Sequence, residues 1–362
     1  MPPADRKAGH DGPAPAGGRG ARGSRAPSQE RWGHAVHAAA ARLGRGYAAP
    51  VIDLAPHVAK AIGAGRPVVA LESTVLTHGL PRPANLELAL RLERVVAEGG
   101  ALPATVGVVD GRLLVGLDAG ELERLATEDV DKASPWNLGA IVARGGCAGT
   151  TVATTLHAAA AVGIEVFATG GIGGVHREAY DESADLAALS RYPVVTVSAG
   201  PKSVLDAAAT LERLETLGVP VVGWRSDHLA GFHVGETDLP LPARADTPDQ
   251  LAAAFAAHRS LGLPGGMLVS QPVTDGLDPA TLRTWVEAAH ADARARGVRG
   301  KGVTPALLAA LAERSDGETV VINLRLLEAN ARLAAALACA LAAAPPPGTN
   351  HAPTSPSPKE DL

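Results

Sequence analysis

Short runs of β-branched residues alternate with helical patterns along most of the chain, and this alternation restricts the fold more than any other feature. The predicted strands are 67–71, 104–109, 112–117, 165–170, 193–198, 219–224 and 266–271. The predicted helices are 84–99, 150–163, 202–217, 247–261, 280–296, 304–315 and 318–343. Asp110-Gly111 between two strands predicts a tight antiparallel hairpin. We therefore predict an α/β fold: a single three-layer α/β/α domain with a mixed central sheet.

The two ends of the chain differ in composition from its middle. Residues 1–29 consist mainly of Gly, Pro, Ala and Arg, and such a segment buries too little apolar surface to order itself. It contains no continuous apolar stretch, so we do not expect a secretory signal. We predict a disordered extension over 1–48, a folded domain over 49–344 and a disordered Pro-rich tail over 345–362.

Composition restricts the class of partner and the compartment. Lys and Arg number 33 against 38 Asp and Glu, a net charge of −5, which argues against nucleic acid as a partner. Only two cysteines occur, Cys147 and Cys339, so neither a disulfide framework nor a cysteine-built zinc site is expected. The apolar run 333–344 is shorter than the roughly 20 residues that cross a bilayer. We predict a soluble cytoplasmic protein without a membrane segment.

Lys202 follows a predicted strand and a Gly-Pro turn in the segment VSAGPKS (197–203). Its primary amine can attack a carbonyl carbon and form an imine, whereas the guanidinium of arginine, the commoner basic group in this chain, cannot. We expect the apolar strand end to desolvate the amine and favour its uncharged, nucleophilic form. The alternative is a surface lysine that opens the predicted helix 202–217, where a cation opposes the helix dipole.

Glu72 follows another predicted strand, in the segment LESTVLTHG. A carboxyl group at a strand end is partly desolvated, which raises its pKa and suits it to proton donation. The alternatives are a cap for a helix or loop, or a carboxylate paired with an arginine such as Arg82.

The segment ATGGIGGVHREAYDESAD (168–185) contains a glycine-rich loop after a predicted strand. The dinucleotide-binding spacing is incomplete and no helix follows at once, but closely spaced backbone amides could cradle a phosphate. Asp181 and Asp185 offer oxygen ligands for Mg²⁺ or Mn²⁺. Asp181 and Ser183 could instead cap a helix that starts at Ala184.

Four further polar residues could contribute to an anion site. Thr150 and Thr151 open a predicted helix, whose free N–H groups favour an anion, although capping without a ligand explains the same pattern. Lys132 could add a positive charge to a phosphate site or lie in a solvated loop. Asn323 in the last helix could point into the site or towards solvent. The histidines show no metal-ligand spacing, so we expect no zinc.

A series of segments occurs in the order known from one enzyme family: ALESTVLTHGLPRPAN, GALPATVGVVDG, GTTVATT, FATGGIGGVHR, ESADL, SAGPKSVLD, LGVPVVGW and GKGVTPALL. Together they resemble the pseudouridine-5′-phosphate glycosidase family and cover nearly all of 51–340. The resemblance implies reversible cleavage of the C–C glycosidic bond of pseudouridine 5′-phosphate to uracil and ribose 5-phosphate. It also implies a divalent metal, commonly Mn²⁺ and otherwise Mg²⁺, and a homotrimer.

The resemblance also implies roles for individual residues. Lys202 corresponds to the imine-forming lysine, Glu72 to the proton donor and Asp181 to the metal ligand. The predicted substrate-binding residues are Lys132, Thr151, Val152, His176, Ser183, Ala184, Asp185 and Asn323.

Two departures from the family pattern bear on these assignments. The loop between His176 and Ser183 is shorter than usual, so the assignment of Asp181 depends on where the gap falls. The segment after Lys132 reads ASPWNLGA, where the family carries a basic pair and Asp-Leu-Pro, so substrate affinity or selectivity could differ.

The predicted chemistry explains why an amine is needed. Two carboxylates cleave a glycoside by protonating an oxygen leaving group, and a C-nucleoside has a carbon in that place. Acid-assisted opening of the ribose ring, addition of Lys202 to C1′ and C–C cleavage would leave an imine that water hydrolyses. The alternatives are a Schiff-base lyase or aldolase that acts on another sugar phosphate, and a nucleotide-binding sensor without chemistry.

Overall fold

A computed structural model describes residues 52–177, 181–298 and 302–344. The predicted N-terminal extension (1–48) and Pro-rich tail (345–362) lie outside the described residues, so both stay predictions.

The described residues contain every strand and helix that the sequence predicts, together with further elements that it does not. The strands are β1 (Ile52–Leu54), β2 (Val68–Leu71), β3 (Leu102–Val109), β4 (Arg112–Val115), β5 (Asp131–Ala133), β6 (Ala148–Thr150), β7 (Val166–Ala168), β8 (Val195–Ser198), β9 (Val221–Trp224), β10 (His228–Gly231), β11 (Val234–Pro240), β12 (Ala243–Ala245) and β13 (Met267–Ser270). The helices are α1 (Pro56–Gly63), α2 (Thr74–His78), α3 (Ala84–Glu98), α4 (Ala119–Thr127), α5 (Pro135–Ala143), α6 (Val152–Val162), α7 (Ala184–Arg191), α8 (Ala207–Thr216), α9 (Pro248–Ser260), α10 (Pro279–Ala295), α11 (Val303–Arg314) and α12 (Glu318–Ala343).

The central sheet is mixed, as predicted. Its strands follow the order β1-β4-β3-β2-β7-β8-β13-β9-β12, and β6 pairs with both β3 and β5. The β3–β4 and β3–β6 pairs are antiparallel, whereas the pairs from β2 through β12 are parallel. The β3–β4 hairpin turns at Asp110 and Gly111, whose φ angles of 49° and 75° explain the Asp-Gly pair. Strands β10 and β11 form a separate antiparallel hairpin.

Helices cover both faces of the sheet, so the predicted three-layer architecture is confirmed. Successive side chains of a strand point to opposite faces. In β2, Val69 and Leu71 belong to the core formed with α3 and α9 to α12. Val68 and Ala70 belong to the opposite core, formed with α1 and α5 to α8.

Helix α12 is the longest helix among the described residues, and it lies against the sheet. By length and composition it is apolar enough to cross a bilayer, so the prediction based on the shorter run 333–344 does not hold for the whole helix. Half of its most apolar stretch is buried inside the protein, where α12 packs against α3, α9 and strands β2, β7 and β8. We therefore assign α12 as a core helix of the folded domain.

The predicted helix 202–217 is shorter in the structure and begins at Ala207. Asp206 caps it by accepting a 2.9 Å hydrogen bond from the N–H of Ala209. Lys202 lies in the preceding turn, which the N–H of Leu205 closes on the Lys202 carbonyl. The alternative in which Lys202 opens a helix is therefore wrong, because the cap four residues later sets the helix start.

Candidate active site

Three polar groups come together at the carboxyl ends of three adjacent parallel strands. Glu72 follows β2, Thr169 follows β7 and Lys202 comes four residues after the end of β8, and these strands are neighbours in the order β2-β7-β8. Ligands of open α/β sheets bind at such carboxyl edges. This edge of the sheet is our candidate active site.

Glu72 is partly buried and accepts a hydrogen bond from the Thr169 hydroxyl, with 2.5 Å between Thr169 Oγ1 and Glu72 Oε1. Burial raises the pKa of Glu72 because the ionised carboxylate loses hydration. The positive charge of Lys202 and the Thr169 hydrogen bond act in the opposite direction, although burial is the largest effect. A carboxyl that keeps its proton to higher pH is suited to act as a general acid.

The loop that carries Lys202 is paired with the glycine-rich loop, so the β7–β8 pairing continues beyond the strands. The N–H of Ala199 donates to the Gly170 carbonyl at 2.9 Å, and the N–H of Lys202 donates to the Ile172 carbonyl at 3.2 Å. Gly200 lies between them with a φ of 81°, and a Cβ at this position would lie 2.3 Å from the Ala230 carbonyl oxygen. Only glycine fits this close approach.

Lys202 and Lys132 both influence Glu72 electrostatically, from different segments of the chain. Lys132 lies in β5, and both side chains are partly buried. Burial lowers the pKa of Lys132, and the nearby charge of Lys202 lowers it further. The charges of both lysines and of Asp185 act on Glu72, which places the four groups at one site. The amine and carboxyl that the sequence singles out therefore lie at the same edge of the sheet.

Asp185 is buried and holds two segments of the site together. Its Oδ1 accepts the N–H of Ala153 at 3.1 Å, and its Oδ2 accepts the N–H of Gly173 at 2.8 Å. Both oxygens are thus engaged by backbone, which corrects the expectation that Asp185 is an open metal ligand. Its predicted contact with substrate stays a prediction.

The start of α6 is already occupied in part by protein acceptors. The N–H of Ala153 binds Asp185, and the N–H of Thr154 lies 3.4 Å from the Thr151 hydroxyl. The expectation of a set of free N–H groups is therefore wrong, because side chains satisfy them. Within the described residues, the N–H of Val152 donates to no protein acceptor. This N–H remains open to an anion.

Ser183 and Ala184 lie where α7 begins. Ser183 is the N-cap and accepts the N–H of Asp185 at 3.2 Å, so the capping alternative is confirmed for Ser183. A Cβ on Gly173 would lie 2.3 Å from Ser183 Oγ, which explains the glycine in the facing loop. Asp181 does not cap the helix.

The side chains of Asp181 and His176 lie close to each other. The backbone N–H of His176 donates to the Asp181 carbonyl at 2.9 Å. In the side chains, His176 Nε2 lies 3.8 Å from Asp181 Oδ2. The Asp181 side chain is 48 % exposed and borders a cavity of about 50 Å³. No group of three or more His, Cys, Asp or Glu suited to a metal occurs among the described residues. A single open carboxylate fits Mg²⁺ or Mn²⁺, which keep several waters.

Asn323 in α12 lies beside the glycine-rich loop. Its Oδ1 would be 3.4 Å from a Cβ on Gly170, so the amide borders the site rather than bulk solvent. Two residues of this region, Thr169 and Asn330, were not predicted from the sequence. Thr169 directly precedes the glycine-rich loop, and Asn330 is a polar residue in an Ala- and Leu-rich helix, which were the available signals.

Comparison with known proteins identifies the family. The model of the family "Indigoidine synthase A like protein" matches residues 57–340. A pseudouridine-5′-phosphate glycosidase from Thermus thermophilus is 57 % identical over 276 residues, covering 76 % of this chain and 98 % of the relative. The enzyme of the same name from Salinispora tropica is 50 % identical over 293 residues, covering 79 % of this chain and 90 % of the relative.

Two solved structures share the fold over most of their length. The prealnumycin C-glycosynthase AlnA, in complex with ribulose 5-phosphate, superposes with a TM-score of 0.76 at 38 % identity, covering 82 % of this chain and 98 % of AlnA. An indigoidine synthase A-like protein from Thermotoga maritima superposes with a TM-score of 0.75 at 34 % identity, covering 83 % and 100 %. The chain therefore belongs to the family of indigoidine synthase A like proteins, and the resemblance to pseudouridine-5′-phosphate glycosidases predicted from its sequence is confirmed.

Proposed function

We propose that this protein cleaves the C–C glycosidic bond of pseudouridine 5′-phosphate reversibly, giving uracil and ribose 5-phosphate, through an imine on Lys202. The observation that carries the proposal is that Lys202 and Glu72 lie at the same carboxyl edge of the sheet, with the pKa of Glu72 raised by burial. The names of the Thermus and Salinispora relatives support the substrate. Breakdown is the expected direction, because metabolism readily consumes ribose 5-phosphate.

Glu72 acts first as an acid. It gives its proton to the ring oxygen of the ribose as the bond from that oxygen to C1′ breaks, with electrons supplied by the uracil ring. The uncharged amine of Lys202 then forms a bond to C1′ and passes a proton back to Glu72. A primary amine is required for this step, because only an amine can later form a C=N bond.

The same two groups complete the reaction. Glu72 protonates C5 of uracil as the C1′–C5 bond breaks, and the lone pair of the Lys202 nitrogen forms the C=N bond. Water adds to C1′ of this iminium, which releases the aldehyde form of ribose 5-phosphate. The proton left on Lys202 returns to Glu72, so both groups regain their starting states.

The neighbouring residues would bind the phosphate and orient the sugar. The open N–H of Val152 and the ammonium of Lys132 are donors suited to an anion. We expect His176, Ser183 and Asn323 to contribute further polar contacts to the substrate. Thr151, Ala184 and Asp185 would act mainly by fixing the backbone of this pocket.

We also propose a divalent cation, Mn²⁺ or Mg²⁺, held by the exposed carboxylate of Asp181. Such an ion would supply positive charge to the substrate phosphate and keep most of its water ligands. His176 beside Asp181 would orient that carboxylate.

Our proposals for the oligomeric state and the cellular compartment rest on features of the sequence. We propose a homotrimer, on the family resemblance, and exposed apolar side chains such as Trp136 and Leu261 (77 % and 75 % exposed) are candidates for its interfaces. Mass measurement by light scattering tests the trimer.

We propose a cytoplasmic location because Cys147 and Cys339 are both free thiols, which suits a reducing compartment.

The test is incubation with pseudouridine 5′-phosphate and Mn²⁺, with uracil measured by chromatography. We expect uracil from the wild type and a loss of roughly 10³-fold or more in Lys202→Ala. Lys60→Ala, which changes an exposed lysine of α1, should retain full activity. Absence of uracil in the wild type would exclude the substrate, and undiminished release by Lys202→Ala would exclude the mechanism.

Imine formation has its own test. Borohydride reduction in the presence of ribose 5-phosphate should attach the sugar phosphate covalently to the peptide that contains Lys202, as read by mass spectrometry. Labelling of another lysine would contradict the assignment.

One observation favours a second function of the same chemical class. AlnA is a C-glycosynthase, and it is 38 % identical to this chain. A synthetic enzyme would join ribose 5-phosphate to an aromatic acceptor other than uracil, with the same lysine. Failure to use uracil in the reverse direction, together with borohydride labelling of Lys202 by ribose 5-phosphate, would favour this alternative.

A further inference from the structure

Asn330 is a buried amide in helix α12, with an exposed fraction of 1 %. Its Nδ2 donates to the Thr169 carbonyl at 2.8 Å and to the Gly170 carbonyl at 3.2 Å. Its Oδ1 has no protein partner among the described residues. Rotating the amide by 180° would place Oδ1 against two carbonyl oxygens and lose both bonds, so these contacts fix its orientation.

An amide at this position is not explained by packing. Its neighbours in α12 are mostly alanine and leucine, and an apolar residue would avoid a buried acceptor without a partner, which destabilises a fold. Buried polar groups that are incompletely satisfied call for an explanation. For Asn330, the position of the two carbonyls that it binds supplies one.

The residues that carry these two carbonyls, Thr169 and Gly170, are connected by hydrogen bonds to Glu72 on one side and to the loop of Lys202 on the other. The hydroxyl of Thr169 donates to Glu72 on one side. The carbonyl of Gly170 also accepts the N–H of Ala199 on the other side, and the pairing of these loops continues to the N–H of Lys202. Because β7 lies between β2 and β8, the clamped segment lies between the carboxyl and the amine.

We infer that Asn330 is a positioning residue that sets the placement of the Glu72 carboxyl relative to the Lys202 amine by clamping the strand end between them. This inference rests on the proposed function and deepens it. Asn330 acts through Thr169 and Gly170. Besides Lys202, the charged groups that face Glu72 are Lys132 and Asp185, and the clamp contacts neither.

The chain contains a matched control for this residue. Asn85 in α3 is 3 % exposed, and its Nδ2 donates to the carbonyls of Leu76 and Ala126 at 2.8 and 3.0 Å. Its Oδ1 also has no protein partner in the described part of the chain. Asn85 thus makes the same kind of contacts as Asn330, with two backbone carbonyls, but binds neither Thr169 nor Gly170.

The experiment compares Asn330→Leu with Asn85→Leu in the full chain, with wild type alongside. We expect the melting temperatures of the two variants to fall by a similar amount relative to the wild type. Only Asn330→Leu should lower kcat, by about tenfold or more, because small displacements of reacting groups reduce rates steeply. It should also move the alkaline limb of the pH profile upward, because the Thr169 bond that favours ionised Glu72 is weakened.

Equal kcat losses in the two variants, or a folded Asn330→Leu protein with wild-type kcat and pH profile, would overturn the inference. If leucine prevents folding, the pair Asn330→Ser and Asn85→Ser makes the same comparison with smaller side chains. An inactive wild type would instead defeat the proposed function, so the two failures are distinguishable.

Discussion

The hydroxyl of Thr169 donates a 2.5 Å hydrogen bond to the carboxyl of Glu72, across the boundary between the neighbouring strands β7 and β2. Burial raises the pKa of Glu72, and this hydrogen bond limits the rise because it favours the ionised form. The contact therefore adjusts the proton affinity of the proposed acid and fixes the direction of its carboxyl group.

Replacement of Thr169 by valine should raise the pKa of Glu72 further, because the carboxylate loses its donor while burial remains. Activity that requires protonated Glu72 falls as pH rises through this pKa. The alkaline limb of kcat/KM should therefore move to higher pH. Thr105→Val is the control, since Thr105 donates a 2.6 Å bond to Glu93 in the same way. An unchanged limb in Thr169→Val would exclude Glu72 as the group that titrates.

Glu72→Gln should lower kcat by roughly 10²- to 10⁴-fold, because an amide cannot supply the proton that opens the ribose ring. Glu93→Gln is a matched control. Burial also raises the pKa of Glu93, and a threonine hydroxyl also binds it, yet it lies in α3 and not at the candidate site. Steady-state uracil release measures both variants. Comparable losses in the two would indicate general damage to the fold and contradict a specific role for Glu72.

Asp181→Asn should weaken Mn²⁺ binding by roughly tenfold or more, because it removes the open carboxylate that the ion would use. Electron paramagnetic resonance measures free Mn²⁺ during titration and does not depend on activity. EDTA treatment should lower activity, and added Mn²⁺ should restore it. Asp238→Asn changes another exposed aspartate and should bind Mn²⁺ as the wild type does. Unchanged Mn²⁺ affinity in Asp181→Asn would place the metal elsewhere.

His233 should make the protein less stable in mild acid. Burial lowers the pKa of His233 to about 4, against about 6.5 for an unfolded histidine. Below pH 6.5 the unfolded chain binds a proton that the folded chain does not, so folding weakens until pH reaches the folded pKa. From pH 7 to pH 5 the loss from this residue is about 2 kcal/mol in the free energy of unfolding.

Urea denaturation at pH 7 and pH 5 measures this loss. His233→Gln should show a smaller difference between the two pH values, by about 2 kcal/mol. His57→Gln, at an exposed position, should behave as the wild type. An identical pH dependence in His233→Gln and the wild type would show that His233 is not buried in its neutral form.

Local sequence patterns predicted much of the fold. The last helix was predicted over 318–343, and α12 spans Glu318–Ala343. The Asp110-Gly111 pair predicted the antiparallel hairpin because both residues tolerate a positive φ. Turn chemistry and apolar periodicity act over a few residues, so they can be recognised along the chain. The short strands β5 and β6 were missed because three-residue elements leave too little pattern.

The candidate site was predicted only in part. Glu72 and Lys202 were recognisable because each reactive side chain comes soon after a β-branched run. Thr169 and Asn330 were not, because 161 residues separate them along the chain. Only the fold brings the Asn330 amide within 2.8 Å of the Thr169 carbonyl. The sequence also suggested open N–H groups at the start of α6 and an open carboxylate at Asp185. In the fold these groups instead bind each other, because the Asp185 carboxylate accepts the N–H of Ala153 at the start of α6.

The sequence by itself determined the element types, the mixed sheet, the family and the reactive side chains, because each depends on residue identity or local spacing. Only the tertiary structure decided which polar groups satisfy one another and which stay open to substrate. The β2-β7-β8 order brings Glu72, Thr169 and Lys202 to one edge, and α12 places Asn330 above it. Partial burial at this edge then raises the pKa of Glu72, and burial depends on contacts between segments far apart in the chain.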